Sequence, residues 1–205
     1  MIDAATLLTF MLAGAAIIVA PGPAQALVLA RTLSDGRRAG LLTAVGLNVG
    51  TLVHAAAAGL GASAILATSA LAFDTVKFVG AAYLVFLGVQ AWRQGSRPQA
   101  APSVTSQQAL TRAITTGILN PKVAVFFLAF LPQFVNPARG PILAQCLFLG
   151  TVLAAMDVVY EGGLVWLSGT LSSTFRHPRV QRWQHRFTGG VLIGLGARLA
   201  LVERK

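Results

Sequence analysis

The sequence predicts an all-α integral membrane protein with six transmembrane helices, arranged as two inverted repeats of three helices each. Composition is the first reason: 55% of the 205 residues are hydrophobic and only 11% are charged, whereas soluble domains carry about 25% charged residues. The mean hydropathy is +0.70. Several apolar runs also reach the roughly 20 residues that a helix needs to cross a bilayer. Charge alternation between the loops is the third reason.

Six apolar segments follow one another, and they form the predicted spans. Their bounds are 6–30, 39–66, 70–92, 113–135, 142–171 and 187–202. The first segment lacks the basic residues that precede a secretory signal peptide, so we expect it to be retained as a span. An arrangement of five spans with one re-entrant segment is the alternative.

Basic residues predict the orientation of these spans. The formal net charge is +10, and arginines cluster after the first, third and fifth segments, around Arg37, Arg93 and Arg182. Lysine and arginine concentrate in cytoplasmic loops, so the three basic loops are expected in the cytoplasm and both termini outside. The clusters form no continuous basic face with interleaved aromatic residues, which argues against a nucleic-acid partner.

A polar stretch divides the chain into two halves. Residues 93–110 are rich in proline, serine and glutamine, which predicts a flexible cytoplasmic linker. It separates a first three-helix repeat, 1–92, from a second, 111–205. Because three is odd, the second half enters the membrane with the opposite orientation, as in an inverted repeat. The first and fourth spans are both interrupted by proline, in "APGPAQ" and "LNPKV".

Unusual residues of different spans share one depth. Pro21, Asn48 and Lys122 each lie ten residues from an arginine that marks the cytoplasmic boundary. At 1.5 Å per helical residue this places them ~15 Å deep, which is half of a ~30 Å hydrocarbon core. Asp157 lies near the centre of the fifth span. We therefore expect a polar site at the middle of the membrane.

Proline explains why the two interrupted helices would bind a ligand. Pro21, Pro23 and Pro121 lack an N–H and cannot bond the carbonyl one turn back, and Gly22 adds backbone freedom. A break at mid-depth exposes N–H groups that suit a carboxylate and carbonyls that suit an ammonium group. The substrate-binding set is therefore expected at both breaks, with Gln25 included. The alternative is a pair of proline kinks that only shape packing.

Lys122 is the residue hardest to explain structurally. A charge near the centre of a membrane helix costs about 2.5–3.5 kcal/mol on insertion scales. Snorkelling toward the interface is one explanation, but a partner charge or an anionic ligand accounts better for its depth. The neighbouring Asn120 and Pro121 complete the predicted binding set in the second half of the chain.

The fifth span offers two carboxylates. Asp157 and Glu161 are spaced i,i+4 and share one helical face. Two adjacent carboxylates in an apolar surrounding cannot both ionise at low cost, so the pair is suited to proton coupling. A structural ion pair between Asp157 and Lys122 is the alternative, and the two interpretations are compatible.

The second span contains glycines and two polar residues. Gly46 and Gly50 form a G-x-x-x-G pattern, which predicts close helix packing and is also compatible with a homodimer. Asn48 is a candidate substrate contact. His54 is predicted either as a proton-coupling residue or as a donor to a backbone carbonyl.

The sequence offers no constellation for catalysis or for metal binding. The three histidines lie far apart, and no H-E-x-x-H motif occurs. The single cysteine, Cys146, excludes a disulfide framework and a thiolate metal site. We therefore expect neither an enzyme nor a cofactor. The polar site at mid-membrane favours a carrier, and a passive channel and a membrane scaffold are the alternatives.

Four motifs together carry a family resemblance. They are "PGP" at Pro21–Pro23, the G-x-x-x-G-x-x-x-H run from Gly46 to His54, "GAAYLVFLGVQAWR", and "NPKVAVFFLAFLPQFV". The chain resembles the LysE/RhtB family of amino-acid exporters over nearly its whole length.

The resemblance implies a carrier of the bacterial inner membrane that expels amino acids or close derivatives, driven by protons. It also implies functional roles for the residues that fall on the family's motif positions, which are Pro21, Gly22, Pro23, Asn120, Pro121, Lys122 and Asp157. Glu161 departs from the pattern, because an uncharged residue is expected there in many relatives.

Overall fold

A computed structural model describes residues 2–19, 22–68, 70–93, 106–176 and 178–201, and within these ranges the chain is helical. Pro21 and residues 94–105 of the predicted linker lie outside the described residues. The α-helices are α1 Ala4–Val19, α2 Pro23–Asp35, α3 Arg37–Thr68, α4 Ala70–Arg93, α5 Ser106–Ile118, α6 Pro121–Val125, α7 Ile142–Arg176 and α8 Pro178–Leu201.

The first and fourth predicted spans are each divided into two helices. α1 and α2 are bent by 55° relative to each other. In the second half, α5 ends at Ile118 and α6 begins at Pro121; a π-helical turn, Phe126–Phe130, and a 3-10 turn, Leu131–Phe134, follow. Pro23 and Pro121 occupy the first turns of α2 and α6, where a helix needs no N–H donor.

Two predicted boundaries differ from the structure. The basic stretch expected as a loop between spans five and six is helical, because α7 continues to Arg176 and α8 begins at Pro178. α5 begins at Ser106, inside the predicted linker. Arginine and glutamine are good helix formers, so polarity alone did not indicate where these helices would end.

Glycines allow the helices to approach closely. α3 packs against α5 and α7, and α4 packs against α8. A Cβ atom added to Gly50 would lie 2.3 Å from the Gly117 carbonyl carbon, and one added to Gly46 would lie 2.7 Å from the Ala113 Cβ. The G-x-x-x-G pattern is therefore engaged within the chain by α5, and it gives no argument for a homodimer.

Phenylalanines form the core next to the fourth span. Phe10 of α1 lies 5.3 Å from Phe134 and 6.1 Å from Phe126, measured between ring centroids, and Phe126 stacks on Phe130 at 5.3 Å. All four rings are buried. Aromatic pairs at such distances stabilise beyond their buried area, so this cluster fixes α1 against the turns that follow α6.

Several helices have the length and apolarity of membrane spans. Among the described residues, Arg37–Gly61 and Ile142–Ser168 meet both requirements singly, and the bent pair α1–α2 does so as a unit. Large apolar side chains point outward, among them Leu12, Val159 and Trp166. Such an exterior fits hydrocarbon chains as solvent.

Candidate functional site

A lysine from the second half of the chain donates a hydrogen bond to the backbone at the first helix break. Because Pro21 has no N–H, the carbonyl of Ile17 loses its normal helical partner. The Lys122 ammonium donates a hydrogen bond to this carbonyl at 3.0 Å. Lys122 also lies over Gly22, where an added Cβ would come within 3.5 Å of Nζ. The carbonyl end of α1 is partially negative, so it suits this cation.

Gln25 satisfies a second carbonyl at the same end. It lies in the first turn of α2, is buried, and its side-chain amide donates to the Ile18 carbonyl. The N-cap residue of α2, Gly22, has no side chain to cap the helix. The freed carbonyls of the first break are therefore satisfied by one side chain of α2, Gln25, and by one side chain of the second half, Lys122.

The second break is capped by its own residues. The Asn120 side chain accepts a hydrogen bond from the Lys122 backbone N–H at 3.1 Å, as an N-cap residue does. Pro121 frees the Gly117 carbonyl, which accepts from the Asn120 N–H at 3.2 Å and lies 3.3 Å from His54 Nε2. A backbone carbonyl can only accept, so His54 donates through Nε2.

Two carboxylates of α7 face the lysine. Lys122 is attracted electrostatically by both Asp157 and Glu161, and Asn48 lies beside Asp157. Glu161 is only 1% exposed, and its Oε2 atom has no hydrogen-bond partner among the described residues. With all three groups ionised, the two acids and one lysine give this cluster a net charge of −1. Uncompensated buried charge is costly.

These groups surround one small cavity. Its volume is about 40 Å³, enough for roughly three water molecules and far below the roughly 300–1,000 Å³ of small-molecule pockets. Its polar lining is contributed by Gln25, Thr51, Asn120, Lys122, Asp157 and Glu161. The cavity as it stands is therefore too small for a ligand of amino-acid size.

The structure brings five of the predicted site residues to this cavity, which are Gln25, Asn120, Lys122, Asp157 and Glu161. Gly22 does not line the cavity itself, but it lies against the side chain of Lys122, which does. Asn48 and His54 do not line it.

Three further predicted residues, all prolines, make no described contact with the cavity. Pro121 is exposed, and Pro23 is described only as backbone at the start of α2. Pro21 lies outside the described residues.

Sequence reasoning missed two features of this region. Thr51 lines the cavity, and it lies one turn from Asn48 on α3, a spacing that could have indicated it. Arg31 was expected in a cytoplasmic loop, but it is buried on α2 and pairs with Asp35 at 3.1 Å. The i,i+4 spacing of this pair was the available signal.

Metal-ligating side chains are not clustered within the ranges that the structure describes. No group of three or more histidine, cysteine, aspartate or glutamate side chains is placed to hold a metal ion there. What the arrangement offers is a set of opposite charges and freed backbone groups around a small space, which is the chemistry of a binding site for a small charged molecule.

Comparison with known proteins defines the class of protein. The profile of the LysE type translocator family matches residues 15–203. The chain therefore belongs to this family: it is a multi-pass membrane efflux transporter and not an enzyme. No solved structure matches the chain.

Three relatives show how far the similarity extends. An uncharacterised membrane protein of Vibrio cholerae is 34% identical over 200 residues, which cover 96% of this chain and 97% of the relative. A homoserine/homoserine lactone efflux protein of Salmonella typhimurium is 29% identical, with 93% and 94% covered. A leucine efflux protein of Klebsiella pneumoniae is also 29% identical, with 96% and 95% covered.

Proposed function

We propose that this translocator exports amino acids or close derivatives from the cytoplasm by secondary transport coupled to proton antiport. The observation that carries the proposal is the cavity between the two helix breaks, where Lys122 faces Asp157 and Glu161. The family and the names of the Salmonella and Klebsiella relatives support amino acids as the substrate class.

The charges and helix ends match the two ends of an amino acid. A substrate carboxylate would be bound by Lys122 and by the N-terminus of α2, where the helix dipole is positive and Gly22 supplies no side-chain cap. A substrate ammonium group would be bound by the two carboxylates of α7. Protons would be exchanged at Asp157 and Glu161, whereas His54, bonded to the Gly117 carbonyl, would support the fold.

We further propose the topology that such a carrier requires. The repeats 1–92 and 111–205 would be inverted in a bacterial inner membrane, joined by the cytoplasmic linker 93–110. Two features support this arrangement: the breaks fall between α1 and α2 and between α5 and α6, and α3 packs on α7 as α4 packs on α8. The corresponding helices of two repeats would then contact each other across the pseudo-two-fold axis.

Counterflow in proteoliposomes tests the transport proposal. Vesicles loaded with unlabelled leucine, homoserine or lysine should accumulate the same labelled compound, and the rate should saturate with concentration. A passive channel, the alternative function, would show neither behaviour. Export of another small amine or metabolite, the remaining alternative, is indicated if none of these amino acids exchanges but a different amine does.

Asp157→Asn tests the site within the same assay. The substitution removes a charge that faces Lys122, so counterflow should fall by about thirtyfold or more, because truncating one partner of a buried charge pair has effects of that size. Asp3→Asn is the matched control, since Asp3 lies at the exposed start of α1. Undiminished counterflow by Asp157→Asn, with equal protein in the vesicles, would refute the site.

A further inference from the structure

We infer that Glu161 selects substrates with a net positive charge: amines in which a second ammonium group is present or the carboxylate is blocked as an amide, ester or lactone. The inference rests on the proposed function and adds the substrate class to it. It starts from the Glu161 side chain, which is 1% exposed and has one carboxylate oxygen with no hydrogen-bond partner within the described residues.

Charge balance in the cavity gives the first step. Within the ranges that the structure describes, the charged and titratable groups near Glu161 are Asp157 and Tyr160 of α7 and Lys122 of α6. The polar cavity-lining residues of α2 and α3, Gln25 and Thr51, carry no charge. Lys122 balances one carboxylate, and the other leaves a net charge of −1. A buried uncompensated charge is unfavourable, so the site requires one further positive charge.

Either a proton on the site or a cation in the cavity can supply this charge. A proton on Glu161 neutralises the site, and a zwitterionic amino acid, which has no net charge, can then bind only together with that proton. A cation with a net charge of +1 neutralises the site by itself and binds without the proton. On binding of the cation, the proton on Glu161 passes to the solvent, and no covalent bond other than O–H changes.

Proton antiport favours one of these two alternatives, the cation bound without a proton, over the zwitterion bound together with a proton. An exporter driven by inward proton flow requires that substrate and proton exclude each other from the site, because joint binding would move both in one direction. A substrate with a net positive charge displaces the proton from Glu161, so the two exclude each other. A zwitterion binds together with that proton, so it does not exclude it. A dibasic amino acid also complements the charged groups of the site. Its two ammonium groups would face the carboxylates of Asp157 and Glu161, and its carboxylate would face the Lys122 ammonium group.

Proton release from the purified full-length protein tests the inference. Lysine, leucinamide, norleucine and leucine are added separately to protein in weakly buffered detergent solution, and a pH indicator reports released protons. Lysine carries a second ammonium group, whereas leucinamide has a blocked carboxylate, so the two arms distinguish the two sources of positive charge. We expect each cation that binds to release a proton and the two zwitterions to release none.

Affinity measured by counterflow gives the second readout. The wild-type protein should prefer lysine over norleucine, or leucinamide over leucine, by about thirtyfold or more. Glu161→Gln, which has the same shape without the charge, should lose both the proton release and the preference for cations. Glu161→Asp keeps the charge and should keep the preference, and it serves as the reference if Glu161→Gln is poorly recovered.

The outcomes separate this inference from the proposed function. Saturable counterflow of leucine or norleucine without binding of either cation overturns the inference and leaves amino-acid export intact. An unchanged cation preference in Glu161→Gln also overturns it. Absence of saturable counterflow for these four compounds and for homoserine overturns the proposed function itself.

Discussion

The two helix breaks occupy corresponding positions in the two halves, but their freed carbonyls have different partners. Lys122 of the second half donates to the Ile17 carbonyl at the first break. His54 of the first half lies 3.3 Å from the Gly117 carbonyl at the second break, which also accepts from the Asn120 N–H. Each half thus supplies a side chain to the break of the other.

The difference lies in charge and in position. The first break holds the Lys122 ammonium group at the cavity, where two carboxylates attract it. The second break is satisfied by a capping amide and a histidine that does not line the cavity. We propose that the first break responds to charged ligands, whereas the second break supports and positions Lys122. Four substitutions test this division of roles.

Lys122→Met is expected to have the largest effect. The substitution keeps the packing of the side-chain stem and removes the ammonium group, so it leaves both the Ile17 carbonyl and the two carboxylates without this partner. Counterflow should fall by about thirtyfold or more. Quantified membrane insertion serves as the control. Near-normal counterflow would show that the first break is only a kink.

Gly50→Ala is expected to destabilise the second break by about 1–3 kcal/mol through overpacking. The new methyl group would lie 2.3 Å from the backbone of Gly117, which has little freedom to move. In α1, before the first break, a Cβ atom at Gly14 would lie 2.7 Å from the end of the Leu153 side chain. A side-chain end can move more easily than backbone, so Gly14→Ala should lower the stability less than Gly50→Ala does. Thermal stability in detergent measures both variants.

Gly61→Ala supplies the matched control on the same helix. A Cβ atom there meets nothing within 4 Å, so we expect no loss of stability and a gain of up to about 1 kcal/mol from helix propensity. Equal stability of the variants at Gly50 and Gly61 would contradict the rigid packing inferred for the second break.

The sequence predicted the two breaks because backbone chemistry sets where they fall. A proline removes one N–H wherever it stands, so the carbonyls of Ile17 and Gly117 could be identified as unsatisfied before any contact was known. Helical spacing likewise placed Asp157 and Glu161 on one face. The partner of the Ile17 carbonyl could not be predicted, since Lys122 and Ile17 are distant in sequence and meet only through tertiary packing.

The sequence pattern also did not predict where the helices depart locally from α-helical geometry. The π-helical turn Phe126–Phe130 precedes a turn that contains Pro132. Proline indicates that the regular helical hydrogen bonding must change, but it does not indicate which turn type replaces it. Apolar periodicity likewise did not predict that Arg31 would be buried with Asp35.

His54→Phe is expected to have a smaller effect, confined to stability. The ring is retained but the donor to the Gly117 carbonyl is lost, and the Asn120 N–H still bonds that carbonyl. We expect a loss of about 0.5–1.5 kcal/mol, the net value of one hydrogen bond, with counterflow preserved. His54→Gln, which retains a donor, is the matched control. Loss of counterflow at normal stability would instead assign His54 to proton coupling.

Asp3→Asn is expected to have the smallest effect, at the end of α1 opposite the first break. The Thr6 backbone N–H donates to Asp3 at 2.8 Å, and this bond together with the Arg139 guanidinium lowers the pKa of Asp3 from 3.8 to about 2. Because the pKa is depressed in the folded state, the stabilisation is present above pH 3.8 and is lost as the pH falls toward 2.

Thermal unfolding of wild type and Asp3→Asn between pH 5 and pH 2 measures this contribution. The Asp3 side chain is exposed, so the difference should be small and should shrink at high salt, as expected for a screened surface pair. The two unfolding temperatures should converge as Asp3 becomes protonated. If they differ equally at every pH, the charge of Asp3 adds nothing to the stability of α1, which would contradict this prediction.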